Sequence, residues 1–72
     1  MEIEIAVFQD ARAANELAKE LRSDMAVLTD MASITLNVRN GAAGNVLVME
    51  RVPEKRESEI LRALVKVLGE FL

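Results

Sequence analysis

A chain of 72 residues that contains neither Cys nor His has to hold its fold together by packing alone. Disulfides and cysteine-based metal sites are excluded by residue type. So are the usual general base and the commonest metal ligand. A single core of this size rarely supplies more than about 3–5 kcal/mol, and small domains usually add a disulfide, a metal or a partner chain. With the first two gone, a partner chain is the favoured stabiliser. Residues 1–72 form one small domain in this reading, with no linker, low-complexity tract or internal repeat.

Twelve acidic residues against nine basic give a formal charge of −3. Nucleic-acid binders normally carry a positive excess that displaces counterions from phosphates, so any role with nucleic acid is expected to be indirect. No apolar run approaches the roughly 18 residues of a membrane span. The opening MEIEIAVF carries acid where a signal peptide carries base. A cytoplasmic protein without a membrane segment is expected.

Hydrophobic periodicity orders the chain. Ile3, Ile5 and Val7 alternate with Glu2, Glu4 and Ala6, the pattern of a half-buried strand. Asp10 is placed to cap a helix running to about Arg22 or Ser23. That helix has its apolar stripe at Ala13, Ala14, Leu17, Ala18 and Leu21, and three alanines in five positions permit close approach to a neighbour. Met25 to Ser33 reads as a connection that packs Val27, Leu28 and Met31. Ile34, Leu36 and Val38 alternate as a second strand, and 46–52 form a third with the two-sided apolar character of a central strand. Pro53 is expected at the first position of a final helix reaching Phe71, with Glu54, Glu57 and Glu59 near its positive end.

The order β-α-β-β-α, with a right-handed crossover, gives an α+β fold. It is a three-stranded antiparallel sheet with two helices on one face, ferredoxin-like without the fourth strand. The third strand lies between the other two, so the first keeps a free edge that invites another chain.

Gly41-Ala42-Ala43-Gly44 fits the GxxG pattern with which KH domains clamp nucleic-acid backbone. A KH loop joins two helices, however, whereas this segment joins two strands, is bracketed by Asn40 and Asn45, and contains no cation. It reads as a hairpin turn. A four-residue loop pairs Val38 with Leu47 and Leu36 with Met49 on the core face; a loop one residue different would put Val46 and Val48 there instead.

Chemistry-bearing constellations are sparse. Asp10, Asp24 and Asp30 sit near element ends, where capping or solvation accounts for them, and 72 residues offer little room for a pocket of paired carboxylates. No catalytic residue, cofactor site or metal site is assigned. The last helix is more informative. At about 100° per residue, Ile60, Leu61, Leu64, Val65, Val67, Leu68, Phe71 and Leu72 cover an arc of roughly 160°, wider than the stripe of about 100° that a surface helix needs. The surplus either packs on the first helix and the sheet or meets another protein through Leu61, Val65, Leu68 and Leu72.

Ser58, Leu61, Arg62 and the apolar Val65 match a Ser-x-x-Leu-Arg pattern followed by an apolar position. With this order of elements, they give the chain a resemblance to the small Pcc subunits (polarised-growth chromatin-associated controller) of the KEOPS complex. Beyond Val65 the family helix usually continues with an Asn, an aromatic and a Leu-Arg pair, where this chain has Lys66, Leu68, Gly69 and Glu70. Its first connection also lacks the family's basic residues. Those departures fit a diverged paralogue or a Gon-like partner. The resemblance implies a non-catalytic accessory subunit of the machinery that attaches threonylcarbamoyl to a tRNA adenosine. It implies pairing, as a homo- or heterodimer, through the strand carrying Ile3, Ile5 and Val7, and contact with a KEOPS catalytic subunit through a helix face including Leu61, Arg62 and Val65. Two other classes stay open: an RNA-binding module stacking bases on the sheet through Phe8, and a small ferredoxin-like regulatory domain with an effector at a dimer interface.

Overall fold

A computed structural model describes residues 1–25 and 33–71. The elements run β1 (Ile3–Phe8), α1 (Ala11–Asp24), β2 (Thr35–Gly41), β3 (Gly44–Glu50), a 3-10 turn (Glu54–Arg56) and α2 (Glu57–Phe71). The sheet has the order β1-β3-β2 with both pairings antiparallel. This is the expected α+β architecture. Val27, Leu28 and Met31, expected to pack beneath the first connection, lie outside the described residues.

Local chemistry sets the element ends. The Asp10 carboxylate accepts the Arg12 backbone N–H at 2.9 Å and so satisfies one of the donors that open α1. Ala14 and Ala18 are fully buried, and their lack of bulk brings α1 down onto all three strands. Between β2 and β3, Gly41 lies opposite Gly44, leaving Ala42 and Ala43 as the loop. Neither alanine has a positive φ; the reversal is completed at Gly44, with φ at +138°. A Cβ at Gly44 would lie 2.7 Å from the Phe8 carbonyl oxygen, so this glycine lets the turn close on β1. Asn45 then ties the turn down by donating to the carbonyls of Phe8 (3.3 Å) and Gln9 (3.1 Å). The glycine pair is a structural turn, in the register that places Leu36 opposite Met49 and Val38 opposite Leu47.

One core joins α1, the sheet and α2: Leu17, Leu21 and Met25 meet Leu36, Leu47 and Met49, and Val52, Ile60, Leu64 and Val67 close the far side. Burying side chains of this kind contributes about 1.5–3 kcal/mol each, against a large ordering entropy.

Three expectations need correction. Val7 does not share a face with Ile3 and Ile5. The β1–β3 register shifts between Glu4 and Ala6, so Ile5 occupies a bulge and the alternation inverts beyond it. Ile3, Ile5 and Phe8 pack against the core, while Val7 is turned to the opposite face and is 49% exposed. The third strand starts at Gly44 and ends at Glu50, short of Val52, because Arg51 takes φ +63°. Val52 and Met1 nevertheless exchange two backbone hydrogen bonds of 3.0 Å past that kink. Pro53 has ψ 130° and precedes the 3-10 turn, so α2 begins at Glu57 rather than at Pro53. An extended ψ cannot belong to a first helical turn.

Candidate interaction surfaces

The two edges of the sheet are not equivalent. On the β2 side, Arg22 reaches from α1 and donates to the Leu36 carbonyl at 3.0 Å, so this edge already carries a side-chain partner. On the β1 side, no strand of the described residues lies beyond Ile3–Phe8. The helix-covered side of that strand presents Ile3, Ile5 and Phe8, each only half-buried. Its other side presents Glu4 and Val7, both exposed. Unpaired backbone groups beside half-covered apolar side chains are what an added strand can satisfy.

The second surface is on α2. Ile60, Leu64 and Val67 point into the core, and Leu68 is half-buried against it. One turn apart on the adjoining stripe, Leu61 is 39% and Val65 70% exposed. The wide apolar arc therefore divides. Its centre and the Leu68 flank pack internally, whereas Leu61 and Val65, with exposed Arg62 beside them, face outward. Leu72, expected on the same stripe, lies outside the described residues.

On the face of the sheet away from the helices, charge pairing spans the end of the sheet near Glu2 and Glu50. Arg39 on β2 forms ion pairs with Glu2, which leads into β1, and with Glu50 on β3; Asn37 donates to the same Glu50. Arg39 lies opposite Val46, and Glu50 lies two residues beyond Val48 on the same face. The arginine stem therefore crosses Val48, which is buried although it belongs to no part of the helix-covered core. Long cationic side chains commonly cover apolar surface in this way. Hydrogen bonds from Arg39 hold the Glu2 carboxyl below its usual pKa, and its carboxylate partners raise that of Arg39. A shallow depression of about 450 Å³ next to the clasp is lined by Met1, Glu2, Thr35, Asn37, Glu50 and Arg51. Both of its carboxylates are already engaged by Arg39.

Of the acids considered for chemistry, Asp10 is the cap of α1 and Asp24 its last residue; Asp30 lies outside the described residues. Glu59, near the start of α2, accepts from both Arg56 Nε (3.1 Å) and Nη2 (2.8 Å), which depresses its pKa. Phe8 packs beneath the helices, so it offers no stacking platform on the open face. No helix among the described residues is long and apolar enough to cross a membrane. The periodicity pointed to α2, where Leu61 and Val65 are exposed but Leu68 packs inward, and to β1, which lies at the edge of the sheet, but the Arg39 clasp and the Arg22 edge contact had no local signal. Both join residues that only the finished topology brings together.

Comparisons with protein-family models, with curated proteins and with solved structures found no match.

Proposed function

We propose that the chain is a non-catalytic interaction subunit, bound to another protein through the outer edge of β1 and the Leu61–Val65 stripe of α2. The observation that carries this reading is the asymmetry of the sheet: one edge carries the Arg22 contact at the Leu36 carbonyl, whereas no strand of the described residues lies beyond the other, which is flanked by half-buried Ile3, Ile5 and Phe8. A core this small, in a chain without Cys and so without a disulfide, gains from such a cover. The resemblance at Ser58, Leu61, Arg62 and Val65 gives the reading its most specific form, an accessory subunit of a KEOPS-type tRNA-modifying assembly. In that role a catalytic subunit would meet α2, and the chain would have no direct hold on RNA. Val65 and Arg62 are both exposed, as that contact needs.

The test is the double variant Leu61→Gln/Val65→Gln in a pull-down from the native host. Glutamine preserves helix propensity and removes the apolar contact. The variant should keep its circular dichroism spectrum while losing the proteins that co-elute with the unchanged chain. Identical co-eluting sets for the two, or a chain that elutes alone in both cases, would refute the reading.

A further inference from the structure

Three features of the outward face of α2 are unfavourable for the chain on its own. Leu61 and Val65, one turn apart, are 39% and 70% exposed. Beside them Arg62 and Lys66 are also one turn apart and both exposed, a like-charge spacing that weakens a helix. Neither cation has an ion pair among the described residues. Glu59, one turn before Arg62, is held by Arg56, and Glu70, one turn after Lys66, is exposed without bonding it. One turn beyond Val65 stands Gly69, exposed, with nothing within 4 Å of the position a Cβ would take. Glycine inside a helix is unfavourable by roughly 0.5–1 kcal/mol relative to alanine, and no described neighbour needs the space.

These residues form two adjoining rows along α2. Leu61, Val65 and Gly69 make one, and Arg62, Lys66 and Glu70 make the other, both at four-residue spacing. Between rows of this spacing a second helix can lodge a ridge of its own side chains. Apolar side chains on that ridge would cover Leu61 and Val65, and bare Gly69 leaves the far end of the groove open to a close approach. The other wall holds two cations to one acid, in a chain whose formal charge is −3. Its complement is therefore a surface carrying carboxylates. Local choices that disagree with the stability of their own element are expected where a surface serves function.

We propose that this groove receives an amphipathic helix of a different protein, with Asp or Glu set against Arg62 and Lys66 and apolar side chains on Leu61 and Val65. The inference rests on the interaction-subunit reading and adds the chemistry of what meets α2. The apolar row supplies burial, and the cations select a partner of opposite charge.

Zero-length carbodiimide coupling of the full chain in an extract of its native host tests this, because it joins an amine to a carboxylate only where the two are in contact. Mass spectrometry of the coupled peptides should find Lys66 bonded to Asp or Glu of another protein, in a segment with apolar residues one helical turn from that acid. Arg62→Gln/Lys66→Gln keeps the apolar row and the helix propensity, and its circular dichroism spectrum should match that of the unchanged chain. Co-elution of the coupled protein should fall by about fivefold or more in this variant, and 0.5 M salt should bring the unchanged chain towards the same level as the charges are screened. A complex that forms equally well with the charge variant would overturn the proposal while leaving the interaction role intact. So would coupling of Lys66 to a second copy of this chain, or to no carboxylate although a complex is retained. Failure of the interaction role itself is read separately, in the pull-down with the Leu61→Gln/Val65→Gln variant; a chain that retains nothing in either experiment overturns both.

Discussion

The guanidinium of Arg39 is bonded to the carboxylate of Glu2, 37 positions earlier in the chain, and the pair spans the full width of the sheet from β2 to the start of β1. Because the same guanidinium also holds Glu50 on β3, one side chain ties all three strands together on the face that lacks helices. This arrangement takes the place of a second layer over Val48.

Replacing Arg39 therefore has two separable effects. Arg39→Met keeps a stem over Val48 and removes the ion pairs, while Arg39→Ser removes both. Arg39→Ser should have the lower melting temperature of the two. Arg39→Met should mainly lose the salt dependence of the unchanged protein, since exposed ion pairs are screened and individually weak. Thermal melts of the three proteins at 0.05 and 0.5 M salt check this; equal melting temperatures for the two variants would mean that the stem gives Val48 no useful cover.

Acid should loosen the same clasp. The folded-state pKa of Glu2 lies below its ordinary value of 4.5, chiefly because of the Arg39 hydrogen bond. The folded state thus favours the charged carboxylate. The resulting stabilisation is fully present above pH 4.5 and is lost as pH falls through the depressed folded pKa. Glu59, lowered by Arg56, acts in the same direction. Denaturant midpoints measured from pH 7 down to pH 3 should fall at the acid end, and less steeply in Arg39→Met than in the unchanged protein. Parallel acid limbs would show that Glu2 gains nothing from Arg39.

Two neighbours on α2 should behave oppositely. Ile60 is 1% exposed and Val65 70%. Ile60→Ala leaves a cavity in the core that joins α1, the sheet and α2, at a cost of about 2–5 kcal/mol, comparable to the whole stability of a domain this small. Val65→Gln should change stability by less than about 0.5 kcal/mol. Urea unfolding followed by circular dichroism separates the two outcomes, and a large loss in Val65→Gln would mean that its stripe is covered within the chain.

How far the sequence carries to this architecture can be judged at particular residues. Leu36 and Met49 face one another, one of the two registers the sequence left open; which one holds is decided by the pairing of Gly41 with Gly44, not by anything in the loop residues alone. The α1 stripe is buried at Ala14, Leu17, Ala18 and Leu21, because helical period and side-chain size both pointed there. Val7 went the other way. Strict alternation is a property of a regular strand, and the extra residue at Ile5 is imposed by pairing with β3 rather than by anything in the β1 sequence. The Arg39 clasp was illegible for a similar reason. Glu2, Arg39 and Glu50 are ordinary exposed charges until the strand order β1-β3-β2 puts them on one face.

The backbone offers a last prediction, in which two glycines respond in opposite senses to the same substitution. At Gly44, φ is +138° and a new Cβ would sit 2.7 Å from the Phe8 carbonyl oxygen. Gly44→Ala must shift backbone on one side of the hairpin, and strain of this kind costs on the order of 1–3 kcal/mol. At Gly69, inside α2, nothing lies within 4 Å of the same atom. Gly69→Ala meets no clash and removes conformational freedom from the unfolded chain, so it should stabilise the protein by about 0.5–1 kcal/mol. Urea midpoints of the two variants should move apart, Gly44→Ala downward and Gly69→Ala upward. If Gly69→Ala also weakens the co-elution seen with the unchanged chain, the partner approaches α2 closely at this bare position beyond Val65. Unchanged co-elution would confine the contact to the Leu61–Val65 end.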